Sequence, residues 1–142
     1  VSGAYNTHLN DLLELAHKYS NVKVEQNVKN MKALQEVCDI AVSSAGSTMY
    51  ELAVLGVPTI TYYFVDNQKM IAEAFAEKAC IENAGDYSKD SGKVLERIDE
   101  AFETLAGSYV ARKMASNNMK SVTDGFGAKR IAGALIGYEK ES

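Results

Sequence analysis

The sequence is short of the residues that build metal-bound or thiol chemistry. Its 142 residues include two cysteines, Cys38 and Cys80, and two histidines, His8 and His17. No CxxC pair occurs, and no histidine cluster accompanies either cysteine, so the spacing gives no zinc or redox motif. Both cysteines have apolar neighbours in sequence and are expected to be reduced thiols in the core. A concentrated positive face is also missing: the formal net charge is −4. That argues against nucleic acid or a membrane surface as a partner. No apolar run is long enough to cross a bilayer, and no signal-peptide pattern is present. Internal repeats and low-complexity tracts are absent. The expectation is one cytoplasmic domain spanning 1–142, with no metal and no cofactor.

What is present is ordinary in bulk and informative in order. Hydrophobic residues make up 46% and charged residues 24%, as in a globular domain with one core. Val1-Ser2-Gly3 reads as the end of a strand followed by a turn. The chain is therefore expected to start inside a larger fold, without its domain's first strand. Leu9, Leu12, Leu13 and Ala16 mark one face of a helix over 6–19. A short strand is expected over 22–26, a helix near Met31 to Cys38, and a buried strand over 40–43. Thr48 to Leu55 reads as a helix stopped by Gly56 and Pro58. A strand over 59–64, a helix over 68–78 and a last strand over 79–83 follow. Helices at 94–105, 108–122 and 128–136 close the chain, the last after a turn at 124–127. Strands alternating with helices predict an α/β, three-layer Rossmann-like domain with a parallel sheet. Ligands of such sheets bind outside the carboxyl ends of the strands.

The loop Ser43-Ser44-Ala45-Gly46-Ser47-Thr48 joins a strand to a helix with small side chains. Small residues let a ligand approach the backbone, and the helix start offers free N–H groups to negative charge. Gly46 is the expected point of closest approach. A structural reading competes here. Thr48-Met49-Tyr50-Glu51 fits a capping box, with Thr48 as N-cap and Glu51 reaching back. Likewise Asp66, before the next helix, reads as an N-cap. Tyr62 and Tyr63 read as core and rim packing, and Met114 and Met119 as core. His17 reads as a solvated residue. His8 opens its helix with no evident carboxylate partner.

Asp39 to Glu51, then Leu55-Gly56-Val57-Pro58, then Asp66-Asn67-Gln68 together resemble the carboxyl-terminal domain of the UDP-sugar hydrolase family of pseudaminic acid assembly. That family is related to the peptidoglycan N-acetylglucosaminyltransferases, and both have the glycosyltransferase-B architecture. The match covers roughly residues 21 to 85, and Asp124-Gly125 with Ala128 and Arg130 is similar to the family's closing segment. Ser44-Ala45 departs from it, since a glycine usually precedes the Gly-Ser-Thr.

The resemblance implies a UDP-sugar-binding half of an enzyme that hydrolyses a UDP-amino sugar, such as a UDP-diacetamido-trideoxy-altropyranose, in cell-surface glycan biosynthesis. Ser44, Ala45, Gly46, Ser47 and Thr48 would surround the diphosphate, and Glu51 would accept hydrogen bonds from the ribose hydroxyls. Val28 and Met31 would border the base. Asp66, Asn67 and Gln68 would meet the sugar or phosphate. The family's catalytic histidine comes from the amino-terminal domain, so no residue here is assigned to catalysis, and the chain alone is expected to be inactive. Two other readings remain: the donor-binding half of a glycosyltransferase, and a non-catalytic α/β interaction module.

Overall fold

The computed structural model describes residues 1–3 and 6–140. By its internal contacts the chain divides into two compact units, Val1–Leu34 and Gln35–Ser142. In the first unit, α1 (Leu9–Lys18) carries a half-buried face of Leu9, Leu12 and Ala16, while Leu13 is exposed. His17 is exposed near its carboxyl end. The strand expected over 22–26 is reduced to one parallel bridge between Ser2 and Gln26. The Ser2 N–H donates to the Glu25 carbonyl at 2.9 Å. Asn27 turns into the left-handed region at φ 53° directly afterwards, which ends the extended stretch. The short α2 (Met31–Gln35) crosses the boundary, and its last residue opens the second unit.

The second unit is built on three parallel strands in the order β1 (Ala41–Ser44), β2 (Thr59–Tyr63) and β3 (Asn83–Asp86). Helix α3 (Thr48–Leu55) connects β1 to β2, and α4 (Asp66–Ala79) connects β2 to β3. Then come α5 (Ser91–Gly107), α6 (Tyr109–Val122) and α7 (Gly127–Lys140). This is the Rossmann-like α/β arrangement, a parallel sheet with helices around it. No helix among the described residues is long and apolar enough to cross a membrane.

The core lies where α3, α4 and α6 meet. Met49, Leu52 and Ala53 of α3 pack with Phe75 and Ala79 of α4, Met119 of α6, and the strand-entry residues Val57 and Ile81. Ala41 packs against the same cluster. Side chains alternate along a strand, so Val42 and its register partner Ile60 take the opposite face. Two buried threonines in β2 satisfy their hydroxyls internally. The Thr59 hydroxyl donates to the Val57 carbonyl at 2.8 Å, and that of Thr61 to the Ser43 carbonyl at 3.0 Å. The second bond ties β2 to β1 through a side chain as well as through the backbone ladder.

Several expectations give way here. The last strand begins at Asn83 rather than Ala79, because Ala79 still belongs to α4 and Cys80 caps that helix at φ 48°. The cysteines are not in the core: Cys38 follows α2, Cys80 sits on that cap, and both are exposed. Met119 is buried as expected, but Met114 is exposed. The two lie five residues apart, which separates them by about 140° around a helix, so they cannot share one inward face.

Gly56 stops α3 in the left-handed conformation at φ 72°, and its N–H donates to the Ala53 carbonyl at 3.0 Å. A Cβ there would run into the methylenes of Lys120. Gly56→Ala should therefore destabilise the fold by about 1–2 kcal/mol from backbone strain, with a further loss if Lys120 cannot move aside. Urea unfolding of the variant against the parent checks this.

Candidate functional site

The parallel register brings three loops to one edge of the sheet. Ser44 pairs with Tyr62, and Tyr63 pairs with Asp86, so β1, β2 and β3 end side by side. Backbone bonds then knit the loops together. The Ala45 N–H donates to the Tyr62 carbonyl at 2.8 Å, and the Tyr87 N–H donates to the Tyr63 carbonyl at 2.8 Å.

The loop after β1 enters its helix tightly. The Gly46 N–H donates back to the Ser44 carbonyl at 2.8 Å. The Met49 N–H reaches the Gly46 carbonyl at 3.1 Å, and the Tyr50 N–H reaches that of Ser47 at 3.0 Å. Ala45 is fully buried with its N–H already used, so it shapes the loop and offers no donor outward. The Ser47 and Thr48 N–H groups come before these turns, at the open start of α3, where helix geometry aims donors outward. Gly46 has open space before it: a Cβ built there would meet nothing within 4 Å. Neither a positive φ nor a packing neighbour demands glycine at this position.

The capping box does not form. Ser47 is the N-cap residue, is already helical at φ −58° and ψ −29°, and makes no side-chain cap. Thr48 is thus the first helical residue, one place too late to cap, because a capping side chain needs the extended backbone of an N-cap. Glu51 is exposed and turns elsewhere: its Oε2 accepts from Gln35 Nε2 at 3.3 Å. Gln35 is a residue that spacing could not have singled out. It lies 16 positions upstream on another helix, and only the fold brings the two together. Buried to 7% exposure, it steadies a carboxylate that otherwise faces solvent.

The loop after β2 also departs from expectation. Val65, extended at φ −138°, is the N-cap of α4, so Asp66 is the first helical residue and not the cap. Gln68 does the fastening instead: its Oε1 accepts the Phe64 N–H at 3.1 Å. Gln68 is half-buried, whereas Asp66 and Asn67 are exposed. After β3, Asp86 accepts from the Ser88 hydroxyl at 2.6 Å and faces Lys89 Nζ at 3.1 Å. The Ser88 hydrogen bonds, and then Lys89, hold the Asp86 carboxyl below its usual range, and Asp86 in turn raises Lys89.

Three aromatic rings close this edge. Tyr62 and Phe64 meet edge to face at 5.3 Å, as do Phe64 and Tyr87, while Tyr62 and Tyr87 are tilted at 5.9 Å. Burial, with Tyr87 nearby, pushes the Tyr62 phenol up. The packing expected of Tyr62 is present, but Phe64 and Tyr87 were not singled out by sequence. Their signal was available in retrospect: each stands at or just beyond the carboxyl end of its strand.

The other candidates belong to other segments of the chain. Val28 and Met31 are half-buried in the first unit, Met31 as the first residue of α2. His8 does have a carboxylate partner, contrary to expectation: its Nδ1 lies 3.1 Å from Asp11 Oδ2, both exposed on the first turn of α1. Asp124 joins the start of α7 through Arg130 at 2.7 Å and the Phe126 N–H at 2.9 Å. Arg130 above all, then the Phe126 N–H, lowers the Asp124 pKa. Ala128 is exposed in the first turn of α7. Among the described residues no group of three or more His, Cys, Asp or Glu could hold a metal ion.

Comparison with known proteins gives two distant relatives. The chain is 24% identical to the spore coat polysaccharide biosynthesis protein SpsG of Bacillus subtilis, over 99% of this chain and 41% of that protein. It is 31% identical over 74 residues to an uncharacterised protein of Methanocaldococcus jannaschii, covering 52% of this chain and 15% of that protein. The chain thus spans less than half the length of either relative. No protein-family profile matches it. No solved structure matches it either. The SpsG match gives a loose link to a polysaccharide biosynthesis protein.

Since Thr48 caps nothing, Thr48→Ala should leave stability within about 0.5 kcal/mol of the parent. A working N-cap would cost about 1 kcal/mol instead. Denaturant midpoints of the two proteins separate these outcomes.

Proposed function

We propose that this chain is the nucleotide-sugar-binding half of an enzyme acting on a UDP-amino sugar in polysaccharide biosynthesis. In this reading it is the carboxyl-terminal domain of a glycosyltransferase-B-type hydrolase, and an amino-terminal domain of the same enzyme is its partner. The observation that carries the reading is the start of α3. Gly46 leaves open space, the Ser47 and Thr48 amides lead the helix, and the Glu51 carboxylate is exposed one turn further on, free of capping. A diphosphate fits the first two features, because helix starts favour anions and the missing Cβ lets them come close. A ribose fits the third, because a carboxylate can accept from two neighbouring hydroxyls. Gln35 would keep the carboxylate oriented for that task. Asn67 and the free amide end of Gln68 would meet the sugar or the distal phosphate.

The similarity to SpsG, which runs over 99% of this chain and 41% of that protein, supports the setting in polysaccharide assembly. Hydrolysis is preferred to glycosyl transfer because Asp39 to Glu51 and Asp66-Asn67-Gln68 resemble the hydrolase family. The catalytic group is assigned to the partner domain. His8 is paired with Asp11 on an exposed helix turn, and no residue at the loop edge is a histidine.

The chain should bind UDP in preference to ADP or inorganic phosphate in a calorimetric titration, and release no UDP from a UDP-amino sugar by itself. Glu51→Gln should weaken UDP binding by about 1–3 kcal/mol, the scale of hydrogen bonds to a charged group. Its unfolding midpoint should stay unchanged, because the side chain caps no helix. Absence of a saturable UDP response at millimolar concentration defeats the proposal, and unchanged UDP affinity in the variant removes Glu51 from the site.

A further inference from the structure

The aromatic trio at the sheet edge has more exposure than a packing role requires. Tyr62 and Tyr87 are half-buried, but Phe64 between them remains 42% exposed. Its backbone is fixed: the Phe64 N–H is held by Gln68 at 3.1 Å, and its ring meets a neighbour edge to face on each side. A ring that is fixed and still open to solvent is a preorganised surface, since little entropy remains to be lost when something packs on it.

Its position relative to the α3 start follows from the register. Ser44 pairs with Tyr62, so Gly46 and Phe64 each lie two residues beyond paired positions on adjacent strands. Ala41 faces the cluster of α3, α4 and α6, and alternation places Tyr62, with Ile60, on the other face of the sheet. A ligand anchored by a diphosphate at α3 and running over the strand ends would arrive at these rings. The electron-rich face of an aromatic ring attracts positively polarised edges, and the C–H groups on one face of a pyranose are such edges. A bare phosphate or a ribose hydroxyl would gain nothing there.

We infer that Phe64, steadied by Tyr62 and Tyr87, is the stacking platform for the glycosyl ring of the nucleotide sugar. The inference rests on the proposed nucleotide-sugar function and adds what distinguishes a sugar nucleotide from the bare nucleotide at this edge. The sugar would be read by an apolar surface on one side and by the amides of Asn67 and Gln68 on the other. Phe64 is in this sense a specificity residue, not a catalytic one.

The test compares UDP with UDP-N-acetylglucosamine as titrants for the parent, Phe64→Leu and Phe64→Ala. Leucine keeps apolar bulk and removes the aromatic face, so the fold is preserved should alanine loosen the trio. Both variants should bind UDP as the parent does and bind the sugar nucleotide about tenfold more weakly, the loss of one ring contact. If the parent binds both ligands and Phe64→Leu weakens them equally, or weakens neither, the platform is overturned while the nucleotide-binding reading stands. If the parent binds neither ligand, both fail together.

Discussion

The parallel pairing of β2 with its two neighbours is the constraint on which the candidate site depends. Among the described residues no cluster could hold a metal ion to organise the site, and the net charge of −4 supplies no broad positive field to attract an anion. The site has a sheet edge. Register alone decides that the loops after β1, β2 and β3 start level with one another. The Ala45 and Tyr87 amides carry the ladder past the last strand residues, so each loop leaves from a hydrogen-bonded anchor. A slip of one residue would turn every β2 side chain to the other face. The Thr61 hydroxyl bond to the Ser43 carbonyl adds a side-chain lock on the same register.

The α3 start shows how a local device can be replaced by a longer-range one. A capping box would have satisfied the helix end with its own residues and occupied Glu51. Here the turn is closed by backbone bonds at Gly46 and Ser47, and the carboxylate is steadied by Gln35 from another helix. The functional reading gains from this exchange, because a polar group held by one partner still has oxygen lone pairs to offer. The same logic applies to Gln68, which spends its oxygen on the Phe64 amide and keeps its nitrogen.

Much of the fold was legible in the sequence because its signals are local. Thr48 to Leu55 was bounded by a glycine stop and a proline, and α3 has those bounds. The alternation of strands and helices gave the parallel α/β sheet. What was illegible depended on backbone conformations without a compositional mark. Cys80 adopts a left-handed cap that no glycine announces, and this displaced the last strand to Asn83. Ser47 enters the helix early, which voided a well-formed capping pattern. At the site, the small-residue loop was visible because its residues are contiguous. The Gln35–Glu51 contact and the aromatic trio were hidden because tertiary structure assembles them from separate elements.

The open space before Gly46 bears on how this position can vary among natural proteins. The backbone is in a conformation any residue adopts, and an added methyl group touches no other part of the protein. Folding therefore exerts no selection on glycine at this point. An alanine variant would be made, would fold, and would pass unnoticed by the proteases that remove unstable chains. If glycine is nonetheless retained there across descendants of this gene, the pressure must come from outside the polypeptide, from whatever occupies that space when the protein is at work.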